Sequence, residues 1–204
     1  MILVQIAVGP MKNFSYLVSD GTSGSAALID PGFDVDRTLS ESVRRDLAID
    51  YVFCTHSHSD HCSGIREIRM RTKAKIIAHI SSSISKDIQV GDGSKISVGN
   101  LEALTIHTPG HTKDSICILF ENNLFTGDTL FVGECGRTDL EGGDPSEMYD
   151  SLFKKILSLP DDIEIYPGHD YGERPNSTIG YERRHNYTLK PRNREEFIDF
   201  VSQP

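Results

Sequence analysis

The stretch Thr-His-Ser-His-Ser-Asp-His, residues 55–61, contains three histidines and a carboxylate within six positions. It follows residues 49–54, an apolar run of β-branched and aromatic side chains that predicts a buried strand. Side chains two positions apart in an extended segment point the same way, so we expect His56, His58 and Asp60 to converge. Neutral imidazole and carboxylate are the usual ligands of zinc and related metals. The stretch therefore predicts a metal site, not a polar loop that is rich in histidine by chance.

His61 is the fourth candidate ligand of this stretch, and three more candidate ligands lie in turns at the ends of strand-like runs. His61 opens the predicted helix, and the turns Thr-Pro-Gly-His-Thr, Thr-Gly-Asp-Thr and Tyr-Pro-Gly-His-Asp-Tyr present His111, Asp128 and His169. A glycine precedes each of the last three and allows a tight turn that aims the next side chain. Each residue alone is compatible with an ordinary turn. Together with the histidine stretch, they indicate one shared site at the strand ends.

The number of candidate ligands bears on whether the site holds one metal or two. Seven side chains exceed the four ligands of a tetrahedral metal, and they fit two divalent ions that share Asp128, with zinc preferred over iron or manganese. A water bridging two ions would lose a proton near neutral pH and become a nucleophile, which Asp128 and Asp60 would orient. The alternative is one Fe(II) held by His56, His111 and Asp128, the facial arrangement of non-haem oxygenases, with the other residues supporting these ligands.

Composition and charge limit the class of protein. The 204 residues, 37% hydrophobic and 25% charged, predict one globular domain over residues 1–204. A net charge of −9 argues against a nucleic-acid partner. The sequence has no membrane-length apolar run, no basic cleavable leader and no Cys-x-x-Cys pair among its four cysteines. We therefore expect a cytoplasmic monomer or homodimer with reduced thiols that acts on a small molecule away from membranes.

Hydrophobic periodicity and turn residues outline the secondary structure. The predicted strands cover residues 2–8, 14–18, 26–30, 49–55, 74–80, 95–98, 101–108, 116–120, 124–126 and 163–166. The predicted helices cover residues 35–47, 64–72, 144–159, 177–187 and 194–201. Runs of strands interrupted by single helices favour a mixed sheet, or two packed sheets with helices outside.

The four ligand-bearing motifs, taken together, resemble the metallo-β-lactamase superfamily in order and spacing between residues 29 and 171. The resemblance implies an α+β fold, the αββα sandwich of two mixed sheets flanked by helices. It also implies two groups of metal ligands: His56, His58, His111 and Asp128 for one ion, and Asp60, His61, Asp128 and His169 for the other.

Within the superfamily, two branches resemble different parts of the chain. Residues 141–152, Glu-Gly-Gly-Asp-Pro-Ser-Glu-Met-Tyr-Asp-Ser-Leu, resemble glyoxalase II (hydroxyacylglutathione hydrolase), whereas Gly-Arg-Thr-Asp at 136–139 and His-Asp-Tyr at 169–171 are more similar to persulfide dioxygenases. Both branches use glutathione thiol derivatives. The resemblance implies that Arg137 and Tyr171 contact the substrate; a surface salt bridge and a packing tyrosine are the alternative interpretations.

The chain departs from the glyoxalase II pattern in two ways. Ser57 stands where that enzyme usually has another histidine, and the sequence ends before the C-terminal helical domain that adds glutathione contacts there. The resemblance implies hydrolysis of a hydroxyacyl thioester, and the alternative is a mononuclear Fe(II) persulfide dioxygenase. Another metallo-hydrolase of the superfamily is a further alternative.

Three histidines belong to none of these motifs. His79, His107 and His185 have no partner motif, and we expect structural roles for His79 and His107, which lie in strand-like runs.

Overall fold

The computed structural model describes residues 1–202, and its first layer is a six-stranded mixed sheet. The strands are β1 Ile2–Val8, β2 Asn13–Ser19, β3 Ser25–Ile29, β4 Ala48–Phe53, β5 Lys75–His79 and β6 Ile88–Val90. They follow one another in chain order across the sheet. The pairs β1–β2 and β2–β3 are antiparallel, and β3 to β6 are parallel.

The second layer is another six-stranded mixed sheet. Its strands are β7 Lys95–Val98, β8 Leu101–His107, β9 Ile116–Phe120, β10 Asn123–Gly127, β11 Glu164–Pro167 and β12 Ser177–Thr178. They also lie in chain order. β10 and β11 are parallel, and the other neighbours are antiparallel.

The α-helices lie between strands or follow the last strand. They are α1 Val35–Val43, α2 Ser59–Cys62, α3 Ile65–Arg71, α4 Pro145–Tyr149, α5 Ile179–His185 and α6 Arg194–Val201. Asp-Pro at residues 144–145 predicts a helix start with Asp144 as its cap, and Asp144 does cap α4, because its carboxylate accepts from the backbone N–H groups of Ser146 and Glu147. The helical path continues through a π-helical segment and a 3-10 turn to Ser158. None of the helices within residues 1–202 has the length and apolar character needed to cross a membrane.

Three apolar clusters hold the layers together. Between the sheets, Tyr16 and Phe125 meet edge to face with ring centroids 4.9 Å apart. A second cluster joins the first sheet to residues of α1 and α3, such as Leu39 and Ile68. A third joins the second sheet to α4–α6, where Phe197 is completely buried. Burial of one such large side chain contributes about 1.5–3 kcal/mol. The layers are helix, sheet, sheet, helix, and the predicted αββα sandwich is confirmed.

Several local predictions were wrong. The four-residue spacing of Val35, Leu39, Val43 and Leu47 predicts one apolar helix face, but each such step turns a side chain by about 40° around the helix, so the series drifts off the buried face. Val43 is 77% exposed, and Leu47 lies beyond α1. In the predicted helix 64–72, the apolar Met70 is expected to make a packing contact but is 71% exposed. The short strand β6 was missed, and the predicted helix 177–187 begins with an edge strand before Ile179.

Candidate metal centre

All seven predicted ligands lie in segments that follow strands β4, β8, β10 and β11, with Asp60 and His61 on the short helix α2, and these segments bring them together. They form three overlapping groups in which the donor atoms lie within 4.8 Å of one another: His56 with His58 and His111; His56 with His61 and Asp128; and Asp60 with His61 and His169. Ligation by these residues remains a prediction, but their convergence from four separate loops is a property of the fold.

Backbone carbonyls orient two of the histidine rings. His111 Nδ1 donates to the carbonyl oxygen of Arg137 at 2.8 Å, and His169 Nδ1 donates to that of Met11 at 2.9 Å. Because Nδ1 carries the proton in each ring, Nε2 carries the free lone pair. Both lone pairs face the centre of the site, as metal ligation requires.

Asp30 orients two further rings through its buried carboxylate. Oδ1 accepts from the backbone N–H of Thr55 at 2.8 Å, and Oδ2 accepts from the Thr55 hydroxyl at 2.6 Å and from His61 Nδ1 at 3.0 Å. Since the Thr55 hydroxyl donates to Asp30, it accepts from His56 Nδ1, 3.0 Å away. The Nε2 atoms of His56 and His61 are therefore also left with free lone pairs.

The ring nitrogens that face the centre of the site are so close together that their lone pairs need a positive charge between them. His61 Nε2 and His169 Nε2 lie 3.1 Å apart, and both carry lone pairs when the rings are neutral. His58 Nδ1 lies 3.1 Å from Nε2 of His56 and 3.0 Å from Nε2 of His111, and it can donate to only one of them. Lone pairs at this separation repel unless a proton or a metal ion lies between them. The donor set therefore fits divalent metal ions of the zinc and iron type.

The carboxylate of Asp128 lies between the two sides of the site. Its Oδ1 is 3.3 Å from His61 Nε2, and its Oδ2 is 3.3 Å from His169 Nε2 and 3.5 Å from His111 Nε2. Oδ1 is buried and has no hydrogen-bond partner within residues 1–202. A buried carboxylate oxygen without a donor is costly, and a cation in the site would compensate its charge.

Asp60 completes one side of the site. Its Oδ2 lies 3.4 Å from His61 Nε2 and 3.3 Å from His169 Nε2. The same oxygen accepts from the side-chain amide of Asn13 at 2.9 Å. Asn13 on β2 thus fixes the carboxylate against the two rings.

The proton affinities of the site follow from burial and charge. Burial lowers the pKa of His56 well below its usual value, so this ring is neutral. For His169, burial opposes protonation, but the carboxylates of Asp128 and Asp60 outweigh it and raise the pKa to about 9. Burial also disfavours a charged Asp128, yet the surrounding histidines, His61 first, hold its pKa well below the usual value. The carboxylates stay ionised, and in the metal-free chain protons supply part of the missing positive charge.

Glycines allow the ligand-bearing turns, but for two different reasons. Gly127 has φ 48°, in the left-handed region that the sequence analysis anticipated for the residue before Asp128. Gly168 does not have a positive φ. A Cβ there would lie 2.3 Å from Asp128 Oδ1 and 2.7 Å from His61 Cε1, so the backbone before His169 must approach the site closely.

The two predicted substrate contacts occupy different surroundings. The exposed Arg137 guanidinium forms two hydrogen bonds with Asp139, at 2.6 and 2.9 Å, as in the surface salt-bridge interpretation. The Tyr171 ring is 48% exposed and stacks on His169 with ring centroids 4.7 Å apart. Substrate binding by either residue remains a prediction, and Tyr171 is the one beside the candidate metal ligands.

The residues that support the ligands were not predicted from the sequence. Asp30 and Thr55 were treated only as the last residues of the predicted strands 26–30 and 49–55, and no role was predicted for Asn13, which precedes the predicted strand 14–18. Their only sequence signal is polarity inside or beside an apolar run. His79 and His107 lie outside the ligand groups and stack on each other with ring centroids 3.9 Å apart. Among the described residues, His185 forms no hydrogen bond with a residue of the site.

The fold and the donor set together define a class of protein. The family described as the metallo-beta-lactamase superfamily matches residues 8–85 and 80–169. The chain therefore belongs to the metallo-β-lactamase superfamily. This is a superfamily of metal-binding enzymes with hydrolase and dioxygenase members.

Particular relatives represent both kinds of enzyme. The chain is 34% identical to the mitochondrial persulfide dioxygenase ETHE1 of Homo sapiens, over 92% of this chain and 75% of that protein. It is 37% identical to the hydroxyacylglutathione hydrolase of Nitrosococcus oceani, over 79% of this chain and 64% of that enzyme's length. The crystal structure of ETHE1 from Myxococcus xanthus superposes with a TM-score of 0.95 at 38% identity, covering 100% of this chain and 92% of that one.

Proposed function

We propose that this protein is a metal-dependent thioester hydrolase of the glyoxalase II type. The observation that carries the proposal is the central carboxylate of Asp128, which lies within 3.5 Å of ring nitrogens from both sides of the site. One shared carboxylate between two donor clusters suits two divalent ions better than one.

Each side of the site has enough donors for its own ion. We propose zinc as the metal, with one ion held by His56, His58, His111 and Asp128 and the other by Asp60, His61, Asp128 and His169. When bound, such a pair of ions activates water and stabilises the negative charge that develops on a carbonyl oxygen.

The residues of the chain then have separate roles. Asp128 and Asp60 remain ionised, because neighbouring imidazoles and, for Asp60, the Asn13 amide hold their pKa values below the usual range against the effect of burial. Both carboxylates can accept hydrogen bonds from an attacking water and orient it toward a thioester carbonyl. Tyr171, stacked beside His169, presents an exposed hydroxyl to the substrate. The proposed substrate is a small acyl-thiol, and the relatedness to the Nitrosococcus oceani hydrolase supports this class.

A second candidate is an Fe(II)-dependent persulfide dioxygenase. The observation in its favour is that the likeness to the two ETHE1 proteins extends over 92–100% of this chain, whereas the likeness to the hydroxyacylglutathione hydrolase covers 79%. In this alternative, His56, His111 and Asp128 hold one iron, and the remaining donors support them.

The test is metal stoichiometry combined with two activity assays. We expect two zinc ions per chain and thioester hydrolysis by the loaded protein, with loss of at least 100-fold in turnover in Asp60→Ala and His169→Ala, the magnitude typical of a lost catalytic metal interaction. His185→Ala, which changes an exposed ring outside the site, is the matched control. Intact turnover in both site variants contradicts the hydrolase proposal. One iron per chain with persulfide-dependent oxygen uptake favours the second candidate.

A further inference from the structure

One loop at the end of the second sheet contacts ligands on both sides of the candidate metal centre. It covers residues 128–137 and begins with Asp128, directly after β10. The carbonyl oxygen of its last residue accepts from His111 Nδ1 at 2.8 Å and so orients that ring. The Phe131 ring of the same loop meets the His169 ring edge to face, with centroids 5.9 Å apart. The position of this loop therefore affects three of the seven candidate ligands.

The loop folds back on itself. An antiparallel bridge pairs Leu130 with Cys135, and the four residues between them, 131–134, form the tip of the loop. A Cβ on Gly136 would lie 1.8 Å from the carbonyl oxygen of Asp128, so the two ends of the loop are in close contact. Because tip and ends are joined in this way, a displacement of the tip also displaces the ends that carry or orient metal ligands.

Two buried side chains, one on α5 and one directly after it, hold the tip. Glu182 Oε2 accepts from the Gly133 backbone N–H at 2.7 Å and from Asn186 Nδ2 at 2.9 Å. The same Asn186 amide lies 3.2 Å from the carbonyl oxygen of Glu134 and 3.4 Å from that of Phe131. These contacts engage three of the four tip residues, and they come from a segment that is remote in the chain.

The orientation of the Asn186 amide is fixed by its other end. Its Oδ1 accepts from the Thr188 backbone N–H at 2.9 Å and from the Thr188 hydroxyl at 2.6 Å, so the NH₂ group must face Glu182 and the loop. The pair therefore has a defined direction: Asn186 donates, and Glu182 accepts.

Glu182 occupies an unusual place for a carboxylate. It is completely buried, its Oε1 has no hydrogen-bond partner within residues 1–202, and no ion pair of those residues includes it. A buried carboxylate without a cation is costly, but it accepts stronger hydrogen bonds than a neutral amide does. One of its two donors is the backbone of the loop tip, so the strength of this acceptor acts directly on the loop.

We propose that Glu182 and Asn186 are positioning residues of the metal centre, which fix the carboxylate of Asp128 and the ring orientation of His111 by holding the tip of loop 128–137. Neither residue belongs to a ligand group in the described part of the chain, so both act through the loop. The inference rests on the proposed ligand set and not on the reaction that the loaded centre performs.

Zinc titration of the full chain under chelator competition tests the inference without requiring turnover. Asn186→Asp keeps the shape of the side chain and the Oδ1 contacts with Thr188, but it places a carboxylate oxygen against Glu182 Oε2 and two carbonyl oxygens. We expect zinc to bind about tenfold more weakly, the lower end of the loss seen when a group that orients a metal ligand is removed. Both proposed ions should be affected, because they share Asp128.

Glu182→Gln is the second variant, and it carries the test if Asn186→Asp does not fold. Its amide oxygen can accept from the same two donors, but its NH₂ group replaces Oε1 at a position without a partner. We expect a loss of zinc affinity between that of the unsubstituted protein and that of Asn186→Asp. Asn122→Asp and Glu195→Gln make the same chemical changes at exposed positions outside the loop and are the matched controls.

Leu39→Ala separates positioning from a general loss of stability. Leu39 is buried in the apolar cluster between α1 and the first sheet, and its truncation should destabilise the fold in a urea titration. We expect this variant to keep its zinc affinity. Cobalt(II) in place of zinc gives a second readout, because its visible absorption depends on the geometry of the ligands. The cobalt spectrum should change in Asn186→Asp and Glu182→Gln and stay unchanged in Leu39→Ala.

The outcomes distinguish this inference from the proposed function. Two zinc ions bound equally well by the unsubstituted protein and by folded Asn186→Asp and Glu182→Gln overturn the positioning role alone. Equal losses of affinity in Leu39→Ala also overturn it, because weaker binding then follows from lower stability. One metal ion per chain that is weakened in both loop variants supports the positioning role and contradicts the two-metal hydrolase. No metal binding by the unsubstituted protein overturns both.

Discussion

Replacement of Asp30 by asparagine tests whether this buried carboxylate controls the metal centre. Its Oδ2 accepts from His61 Nδ1 at 3.0 Å and from the Thr55 hydroxyl at 2.6 Å, while Oδ1 accepts from the Thr55 backbone N–H at 2.8 Å. In Asp30→Asn, the amide oxygen can keep the backbone contact, but an NH₂ group then faces His61. That ring can accept from the amide only by moving its proton to Nε2, the atom that faces the metal centre.

The expected magnitude follows from these contacts. Loss of an acceptor that fixes a metal-ligating imidazole typically weakens metal binding 10–100-fold, which corresponds to about 1.4–2.7 kcal/mol. Because His61 belongs to the proposed ion with Asp60 and His169, we expect only one of two zinc ions to be weakened to this extent. The ion with His56, His58 and His111 should be weakened less, since Asp30 reaches it only through Thr55.

Chelator competition under anaerobic, buffered-zinc conditions measures the two affinities separately. Asp50→Asn, which changes an exposed carboxylate on β4 outside the site, is the matched control. Circular dichroism before metal loading establishes that the variant is folded. If folded Asp30→Asn binds both zinc ions within twofold of the unsubstituted protein, the argument that Asp30 sets the His61 tautomer is refuted.

Three further predictions concern packing, a buried carboxylate and pH. Gly168→Ala should abolish binding of at least one metal ion, because its Cβ would lie 2.3 Å from Asp128 Oδ1, whereas Gly91→Ala, where a Cβ meets nothing within 4 Å, should leave metal content unchanged. Glu182→Ala should lower the free energy of unfolding by about 2–4 kcal/mol in a urea titration. The reason is that the buried carboxylate accepts from the Gly133 backbone N–H at 2.7 Å and from the Asn186 side-chain amide at 2.9 Å. A change in the free energy of unfolding below about 0.5 kcal/mol would contradict this prediction. The metal-free chain should lose thermal stability as pH rises from about 6.5 to about 9, because protonated His169 stabilises the folded state. Its pKa is raised to about 9 in the fold, so this contribution is complete below the unfolded pKa of about 6.5 and is lost above about 9. A melting temperature that is flat across this window, or the same slope in His169→Asn, would show that His169 does not contribute.

Much of the candidate site was predictable because its residues are marked by local sequence. The histidine stretch follows a strand, and His111, Asp128 and His169 each follow a glycine in a turn at a strand end. Strand periodicity and turn residues act over a few neighbouring positions, so they are visible without a tertiary structure. For the same reason the helix cap at Asp144 was predicted correctly.

The predictions of exposure and strand pairing failed where contacts between residues distant in the chain determine them. Val43 and Met70 are apolar at helical positions that no layer covers, and their exposure depends on where the helices meet the sheet. The strand β6 is only three residues long and is defined by pairing with β5. Such a segment has too little periodicity of its own to identify it as a strand.

The sequence by itself determined the seven candidate ligands and their resemblance to the superfamily, because the ligand motifs depend on residue types at short spacing. The two-sheet architecture was implied by that resemblance, since strand periodicity alone left a single mixed sheet open. Only the tertiary structure decided which ring nitrogens face inward, since the partners that fix them are remote in the chain: Asp30 for His61, and the carbonyl of Met11 for His169. It also decided that Asp128 lies between the two ligand clusters. Hydrogen bonds and cavities between distant segments arise from packing, and packing is not encoded in any single stretch of sequence.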